Sequence, residues 1–382
     1  MLTRLRHLRR DERGMSMVYV GMGFMAFLSA TTLAIDVGMF MTARTQAQTS
    51  ADAGALSGAV ALFFNDWNDR TPTGPAVQSA LSAARSNQVI SSTVSVDPPD
   101  VTFPLDLNGL ANRVKVDVFR TSARGNPVPT LMGSLFGVQN ADIVATATAE
   151  ASPANAMKCV MPFTIPDRWL ENGNPNTRSM PGDTFDPGDV YIGPNGPGTY
   201  SGYNAMRDKG MLITLKATNE TKITSSWYNP WDLPGSVGAS DYRANIDGCN
   251  PAEVHYNYDQ YEPENGNMVG PTKQGMDDLI QQDSGAQWDP ACGCITGSKF
   301  SNIQNSPRLV KIPVFDPVSY AAGPQHGKGI VLKFTNMIGF FIEPLTSAGE
   351  VQGHIYPVTG IYDKNAGPAP TGSFPVVIRL VQ

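Results

Sequence analysis

The chain has 382 residues, with 28 basic against 34 acidic side chains, a net charge of −6 and four cysteines. An acidic chain lacks the positive surface that a phosphate backbone requires, so a nucleic-acid partner is excluded from the expectations. No repeat or low-complexity tract is evident, and the length suffices for more than one domain.

Residues 1–14 are a basic leader, with Arg4, Arg6, Arg9, Arg10 and Arg13 against Asp11 and Glu12. That gives the leader +3, so the total of −6 leaves −9 for residues 15–382. Met15 to Met41 contains one ionisable residue, Asp36. The run exceeds the ~20 residues a helix needs to cross ~30 Å of hydrocarbon. It is too long for a signal-peptide core, and no small-residue cleavage site ends it. Basic flanks stay in the cytoplasm, so the expected topology is single-pass, with the N-terminus inside and the bulk outside.

Residues 15–64 read as one helix, a transmembrane half followed by an Ala-rich stalk. Proline is absent, and Thr42 to Ala61 is rich in Ala, Gln and Leu. At 1.5 Å per residue such a rod reaches ~75 Å. Small residues recur every fourth position along it. Ala26, Ala30, Ala34 and Gly38 form one row, and Ala43, Ala47, Ala51, Ala55 and Ala59 a second, with Gly54 and Gly58 beside it. Such rows let a second helix approach closely, which drives packing in lipid. They point either to helices of other subunits or to this protein's own domain. Asp36 falls ~33 Å beyond Gly14, near the outer interface. It reads as a hydrated interfacial acid, with an ion pair to a neighbouring helix as the sharper alternative.

Residues 65–75 break the helix with Asn, Asp, Gly and two prolines. A short helix is predicted over Ala76–Asn87, with Val77, Leu81 and Ala84 on one face. Val89–Val96 is strand-like. Arg113–Phe119 alternates, with Val114, Val116 and Val118 on one side. Pro129–Val138 is predicted as a helix with Leu131, Leu135 and Val138 together, and Ala141–Glu150 as a strand. Residues 65–151 thus form a small α+β module. Beyond Ser152 the composition turns to Pro, Gly, Asn, Asp and aromatics. Strands are predicted at Met211–Lys216, Leu309–Phe315, Ile330–Phe334, Ile338–Ile342, His354–Val358 and Val376–Val381, and one helix at Pro271–Gln282. The expected fold class is therefore α+β: a long N-terminal transmembrane and stalk helix, a small α+β module, and a β-rich, disulfide-containing C-terminal domain at 152–382.

Cys159, Cys249, Cys292 and Cys294 all lie beyond the apolar run, and their even number fits two disulfides in an oxidising compartment. A Cys292–Cys294 bridge is the least expected because its ring is so short. Each is expected to bond to Cys159 or Cys249. His255, His326 and His354 are scattered, which argues against zinc, and no cofactor is expected. Asp183, Asp186 and Asp189, and Asp277, Asp278 and Asp283, depart from the calcium-loop order and read as turn carboxylates. Trp169, Trp227, Trp231 and Trp288 read as core before ligand platform. No Gly-x-Ser-x-Gly elbow, phosphate-binding loop or His-Glu-x-x-His occurs, so an enzyme is not expected.

Three stretches together resemble the tight-adherence (Tad/Flp) pilus-assembly proteins of the TadE/TadG type. They are Arg10-Asp11-Glu12-Arg13-Gly14 before the apolar run, Leu33-Ala34-Ile35-Asp36-Val37-Gly38 within it, and Thr45 to Ala59 (TQAQTSADAGALSGA) after it. That family shows a basic leader, "RG", an apolar helix with "AxDxG" and an Ala-rich "QxxADAAALAGA" stretch. The resemblance covers about Arg10 to Leu62, more loosely the module ending at Glu150, and leaves the C-terminal two-thirds unexplained. It implies an accessory inner-membrane component, or minor pilin-like subunit, of a bacterial machine that assembles and secretes adhesive Flp pili. The implied partners are Tad membrane proteins and pilin-like subunits, met as homo- or hetero-oligomers through the helix. Gly14 is the position where pilins are cut, but the fifth residue after it is Tyr19 rather than glutamate. No Asp-x-Ser-x-Ser metal site of a von Willebrand A domain occurs. Residence in the membrane and incorporation in a fibre both remain open. The alternative function is a tethered surface adhesin or carbohydrate-binding module.

Overall fold

The apolar run and the Ala-rich stretch form one continuous helix, α1 (Arg13–Phe64), of 52 residues. The computed structural model describes residues 13–381 except 108, 206, 218–221, 256–259, 265, 324–331 and 366–373. The leader expected at residues 1–12 lies outside the described residues, as does His326. The chain divides into two compact units: one runs to Glu150 and takes back the chain end from Arg379, and the other is Ala151–Ile378. The stalk and the small module thus share one unit, and the β-rich unit stops short of the last residues.

In the first unit the C-terminal half of α1 packs on α2 (Pro75–Ser86). Proline opens α2, where its missing N–H costs nothing. Ala76, Val77, Ala80, Leu81 and Ala84 form its buried face. The sheet contains β1 (Val101–Thr102), β2 (Arg113–Arg120) and β3 (Ile143–Pro153), all antiparallel. The strand at the chain end, Arg379–Val381 in this unit, lies on the far side of β3 from β2. Val114, Val116 and Val118 are fully buried and alternate with half-exposed residues, as the period-two pattern requires. The helix expected over Pro129–Val138 does not form. Val128–Pro129 pairs with Asn140–Ala141, and a single 3-10 turn, Gly133–Phe136, bridges them. The apolar spacing there serves no buried face: Leu131, Phe136 and Val138 are all exposed.

The second unit is built on a closed mixed barrel. In chain order its strands are β4 (Ala156–Met157), β5 (Phe163–Pro166), β6 (Leu212–Ala217), β7 (Trp227–Pro230), β8 (Val254–His255), β9 (Gln260–Tyr261), β10 (Gln287–Asp289), β11 (Cys294–Thr296), β12 (Leu309–Phe315), β13 (Leu332–Ile342) and β14 (Val351–Ile355). The sheet order is β9-β13-β12-β5-β7-β6-β14, and β14 also pairs with β13, which closes six strands on themselves. The predicted strands at Ile330–Phe334 and Ile338–Ile342, of which 330 and 331 lie outside the described residues, are one strand, β13. Thr335, Asn336 and Met337 between them are also buried, Asn336 and Met337 pair with Val314 and Pro313, and Thr335 sits at a bulge. Closure depends on two glycines. A Cβ at Gly353 would stand 2.1 Å from the Phe341 carbonyl oxygen, and one at Gly339 2.1 Å from that of Tyr356. Only glycine lets the backbones approach so closely. Phe163, Ile165, Ile213, Ile312, Val314, Ile338 and Phe340 are fully buried core. Helices α3 (Gly238–Asp247) and α4 (Val269–Gln281) pack together, and α5 (Pro317–Ala322) is one short turn capped by Asp316. Sequence reasoning found α4 but not α3 or α5.

Both disulfides form within the second unit, with a connectivity that corrects the expectation. Cys159 bonds Cys249, and Cys292 bonds Cys294. The hairpin of β10 and β11 explains the short ring. Gly293, at φ +59°, turns the chain between the two cysteines and sets their Cα atoms 5.2 Å apart, a normal disulfide separation. Cys159 is meanwhile held against the other segment, its N–H donating to the Asn250 carbonyl at 3.1 Å.

Candidate functional site

Helix α1 has two halves with different surroundings. From Met15 to Ile35 its large apolar side chains are exposed on every face: Met17 is 81 % and Phe27 69 % exposed. Ala26, Ala30 and Ala34 share that exposure, and a Cβ at Gly38 would meet nothing within 4 Å. A helix that is apolar all round belongs in lipid or among other apolar helices. It is also long and apolar enough to cross a membrane.

The second half is buried in its own unit. Ala43, Ala47, Ala51, Ala55 and Ala59 are at most 1 % exposed. A Cβ at Gly58 would meet Val114 Cγ1 at 2.8 Å and Ala80 Cβ at 3.1 Å, and one at Gly54 would meet Ala84 Cβ at 3.0 Å. Of the residues singled out for packing, Ala47, Ala51, Ala55 and Ala59 are therefore buried, whereas Ala26, Ala30, Ala34 and Gly38 are exposed. The two rows have the same spacing. Only the fold separates them.

Asp36 marks the boundary. It is 6 % exposed, and its carboxylate accepts three backbone N–H groups from the loop before the 3-10 turn. Oδ1 takes Leu131 N at 3.0 Å and Met132 N at 3.1 Å, and Oδ2 takes Gly133 N at 2.6 Å. The two sequence readings, a hydrated acid or an ion pair with a neighbouring helix, did not anticipate these backbone partners. Charge-assisted bonds to backbone N–H groups satisfy the carboxylate inside its own chain. Gly133 fits closely here, since a Cβ would lie 3.1 Å from Asp36 Oδ2 and 3.0 Å from the Val138 carbonyl. The clamp holds Leu131, Phe136 and Val138, all exposed, beside the point where α1 becomes buried.

The polar residues of the Ala-rich motif extend the same fastening. Gln46 Oε1 accepts Ile90 N at 2.9 Å, Gln48 Nε2 donates to the Thr146 carbonyl at 3.0 Å, and Ser50 Oγ donates to the Ala84 carbonyl at 2.6 Å. Sequence reasoning missed these three. Their four-residue recurrence (46 and 50) on the alanine face was the available signal. Gly14 lies in the first turn of α1.

In the second unit Asp183, Asp189 and Asp283 fasten loops, whereas Asp277 and Asp278, read as turn carboxylates, lie inside α4. Asp183 and Asp189 accept backbone N–H groups of Met180 and of Asp186 and Asn172, and Asp283 accepts Ser298, Ser306 and Lys299. Trp169 and Trp231 are core, whereas Trp288 stacks on His354. Two further groupings were not legible in sequence. Asp167 is fully buried and accepts Tyr191 and Tyr200 hydroxyls and the N–H groups of Arg168 and Tyr203. Burial pushes its carboxyl up to about 6 despite those donors. Tyr191 also lines a cleft of about 380 Å³ with Asn195, Asp316, Lys333 and Thr335. The second grouping is Glu253, His255 and Asp363, whose donor atoms lie within 4.8 Å of one another. His255, scattered from the other histidines in sequence, thus meets two carboxylates.

An exposed apolar helix thus continues into a packed unit, with an aspartate clamp where its burial begins. Residues 14–61 match the family model described as Putative Flp pilus-assembly TadE/G-like, so the resemblance read from the sequence is borne out over that segment. No curated protein and no solved structure matches the chain.

Proposed function

We propose that this protein is a membrane-anchored structural component of a Tad/Flp pilus-assembly machine, with its N-terminus cytoplasmic and both units outside the inner membrane. It acts as an accessory component or minor pilin-like subunit and performs no catalysis. The observation that carries this reading is the change of environment at Asp36. Met15–Ile35 gives about 31 Å of exposed apolar helix, the thickness of a bilayer core. On this reading Leu131, Phe136 and Val138, exposed beside the clamp, lie at the level of the lipid interface. Within the span, the Ala26, Ala30, Ala34 and Gly38 row supports docking of a helix from another subunit.

The test is Ala30→Leu with Ala34→Leu in the native host. Co-purification with Tad membrane proteins and piliation should both fall, while the fold of the first unit stays intact. Normal piliation with unchanged co-purification refutes the helix-docking role. A second reading, a tethered ligand binder, is favoured by the polar cleft beside Tyr191. A carbohydrate array probed with the full chain in detergent distinguishes it, since a purely structural subunit binds nothing there.

A further inference from the structure

Glu253, His255 and Asp363 come from segments far apart in the chain and meet in the second unit. Glu253 immediately precedes β8 and His255 ends it, so a two-residue spacing puts both side chains on one face. Asp363 follows Ile361 on the other side of the short strand β4. His255 Nε2 lies 3.3 Å from Glu253 Oε1 and 3.2 Å from Asp363 Oδ2. We propose that Glu253, His255 and Asp363 bind one divalent transition-metal ion of the zinc type.

The spacing is that of ligands around a small ion. Donors about 2.1 Å from a tetrahedral centre stand about 3.4 Å from one another, close to the two separations found here. The donor chemistry selects the ion class. Two carboxylates and one imidazole leave the site a charge of −2, which a dication neutralises. Calcium and magnesium take oxygen shells, whereas an imidazole among the ligands suits zinc and its borderline neighbours. Among the described residues, no free thiol competes for such an ion, because all four cysteines are in disulfides. Lys158 Nζ sits 3.6 Å from Glu253 Oε2, so it engages the carboxylate oxygen other than the one beside His255.

The ligand-bearing segments are fixed independently of any ion. His255 pairs with Ala156 in β4, and Ala156 exchanges hydrogen bonds with Ile361 on its other side, at 3.1 and 2.8 Å. Asn155, fully buried, grips the backbone of Asp363 with both ends of its amide, each at 2.8 Å. The Cys159–Cys249 bridge anchors the chain four residues before Glu253. Such support around the first ligands is what preorganises a metal site. All three residues are half-buried and the His255 Nε2 atom is itself buried, so a bound ion would be largely shielded from bulk solvent. A bound ion would join the 253–255 segment directly to Asp363 and add a non-covalent tie beside the disulfide.

The experiment uses the full chain in detergent, disulfides intact, stripped with chelator and dialysed against Zn²⁺, with metal counted by elemental mass spectrometry. One zinc per chain is expected, together with a zinc-dependent rise in Tm. Replacement by Co²⁺ should give the visible bands of a four-coordinate N/O site, a readout that needs no variant. His255→Ala and the near-isosteric Glu253→Gln should each weaken binding about tenfold or more. Failure to retain zinc, retention unchanged in both variants, or Ca²⁺ bound in preference to Zn²⁺ overturns the proposal.

Discussion

Substituting Gly58 with leucine separates the two halves of α1 by their energetics. Gly58 faces Val114 and α2, where a Cβ alone would already meet Val114 Cγ1 at 2.8 Å, Ala80 Cβ at 3.1 Å and the Ala76 carbonyl at 3.3 Å. Leucine adds four carbons to a seam with no room for the first. Overpacking of this kind costs about 3 kcal/mol, the upper end for inserted groups, and the helix propensity gained over glycine returns about 1 kcal/mol. The net loss is about 2 kcal/mol, or a Tm for the first unit lowered by roughly 4–8 °C. Gly58→Ala sets one carbon against the same three neighbours, so its loss should be smaller than leucine's, with the gain in helix propensity offsetting about 1 kcal/mol of it. Ala30→Leu, exposed among the described residues, should leave the Tm unchanged while impairing assembly. The assay is thermal melting in detergent, with hydrogen exchange of the Arg113–Arg120 amides assigning the transition to the first unit. Gly58→Leu melting within about 1 °C of wild type would show that the buried alanine and glycine row does not set the seam.

Three further outcomes follow from the same structure. Asp36→Ala removes the acceptor of three loop amides, so exchange at Leu131, Met132 and Gly133 should quicken by about tenfold or more. Unchanged protection would mean that the loop is held by other contacts. Asp167 has a folded-state value of about 6 against an ordinary 3.8, so the folded state binds its proton more tightly than the unfolded chain. The stability this contributes is complete below pH ~4 and is lost as pH rises through 6, an effect of about 3 kcal/mol. Urea midpoints at pH 4 and pH 7 should therefore differ less in Asp167→Asn than in wild type, and equal pH dependence would contradict the assignment. Loop-closure entropy ranks the disulfides: removing Cys159–Cys249, which spans 90 residues, should cost about 4–5 kcal/mol, and removing Cys292–Cys294 about 2 kcal/mol or less. Comparable losses from the two double Cys→Ser variants would point to native-state contacts as the source.

Much of the local structure was legible because it rests on periodicity. The valines of β2, the apolar face of α2 and the continuous α1 each follow from spacing, and they appear as read. Pro129–Val138 misled because an apolar helical spacing says nothing about whether a surface exists to bury it. Here the loop instead donates its N–H groups to an aspartate 95 residues away. The disulfide pairing misled for a related reason: a turn at Gly293, invisible in the cysteine spacing, relieves the ring. The family-like motif was readable as letters, but the work of Gln46, Gln48 and Ser50 depends on which strands and carbonyls stand opposite them.

The sequence by itself determined that an unbroken apolar helix leads into a separate α+β and β-rich body, because length, proline placement and hydrophobic period act locally along the chain. Only the tertiary structure decided which small-residue row is already covered, what Asp36 holds, how the barrel closes at Gly339 and Gly353, and that Glu253, His255 and Asp363 meet. Those are relations between segments distant in sequence, fixed by close packing and by the need of buried polar groups to find partners, and no spacing within a single segment encodes them.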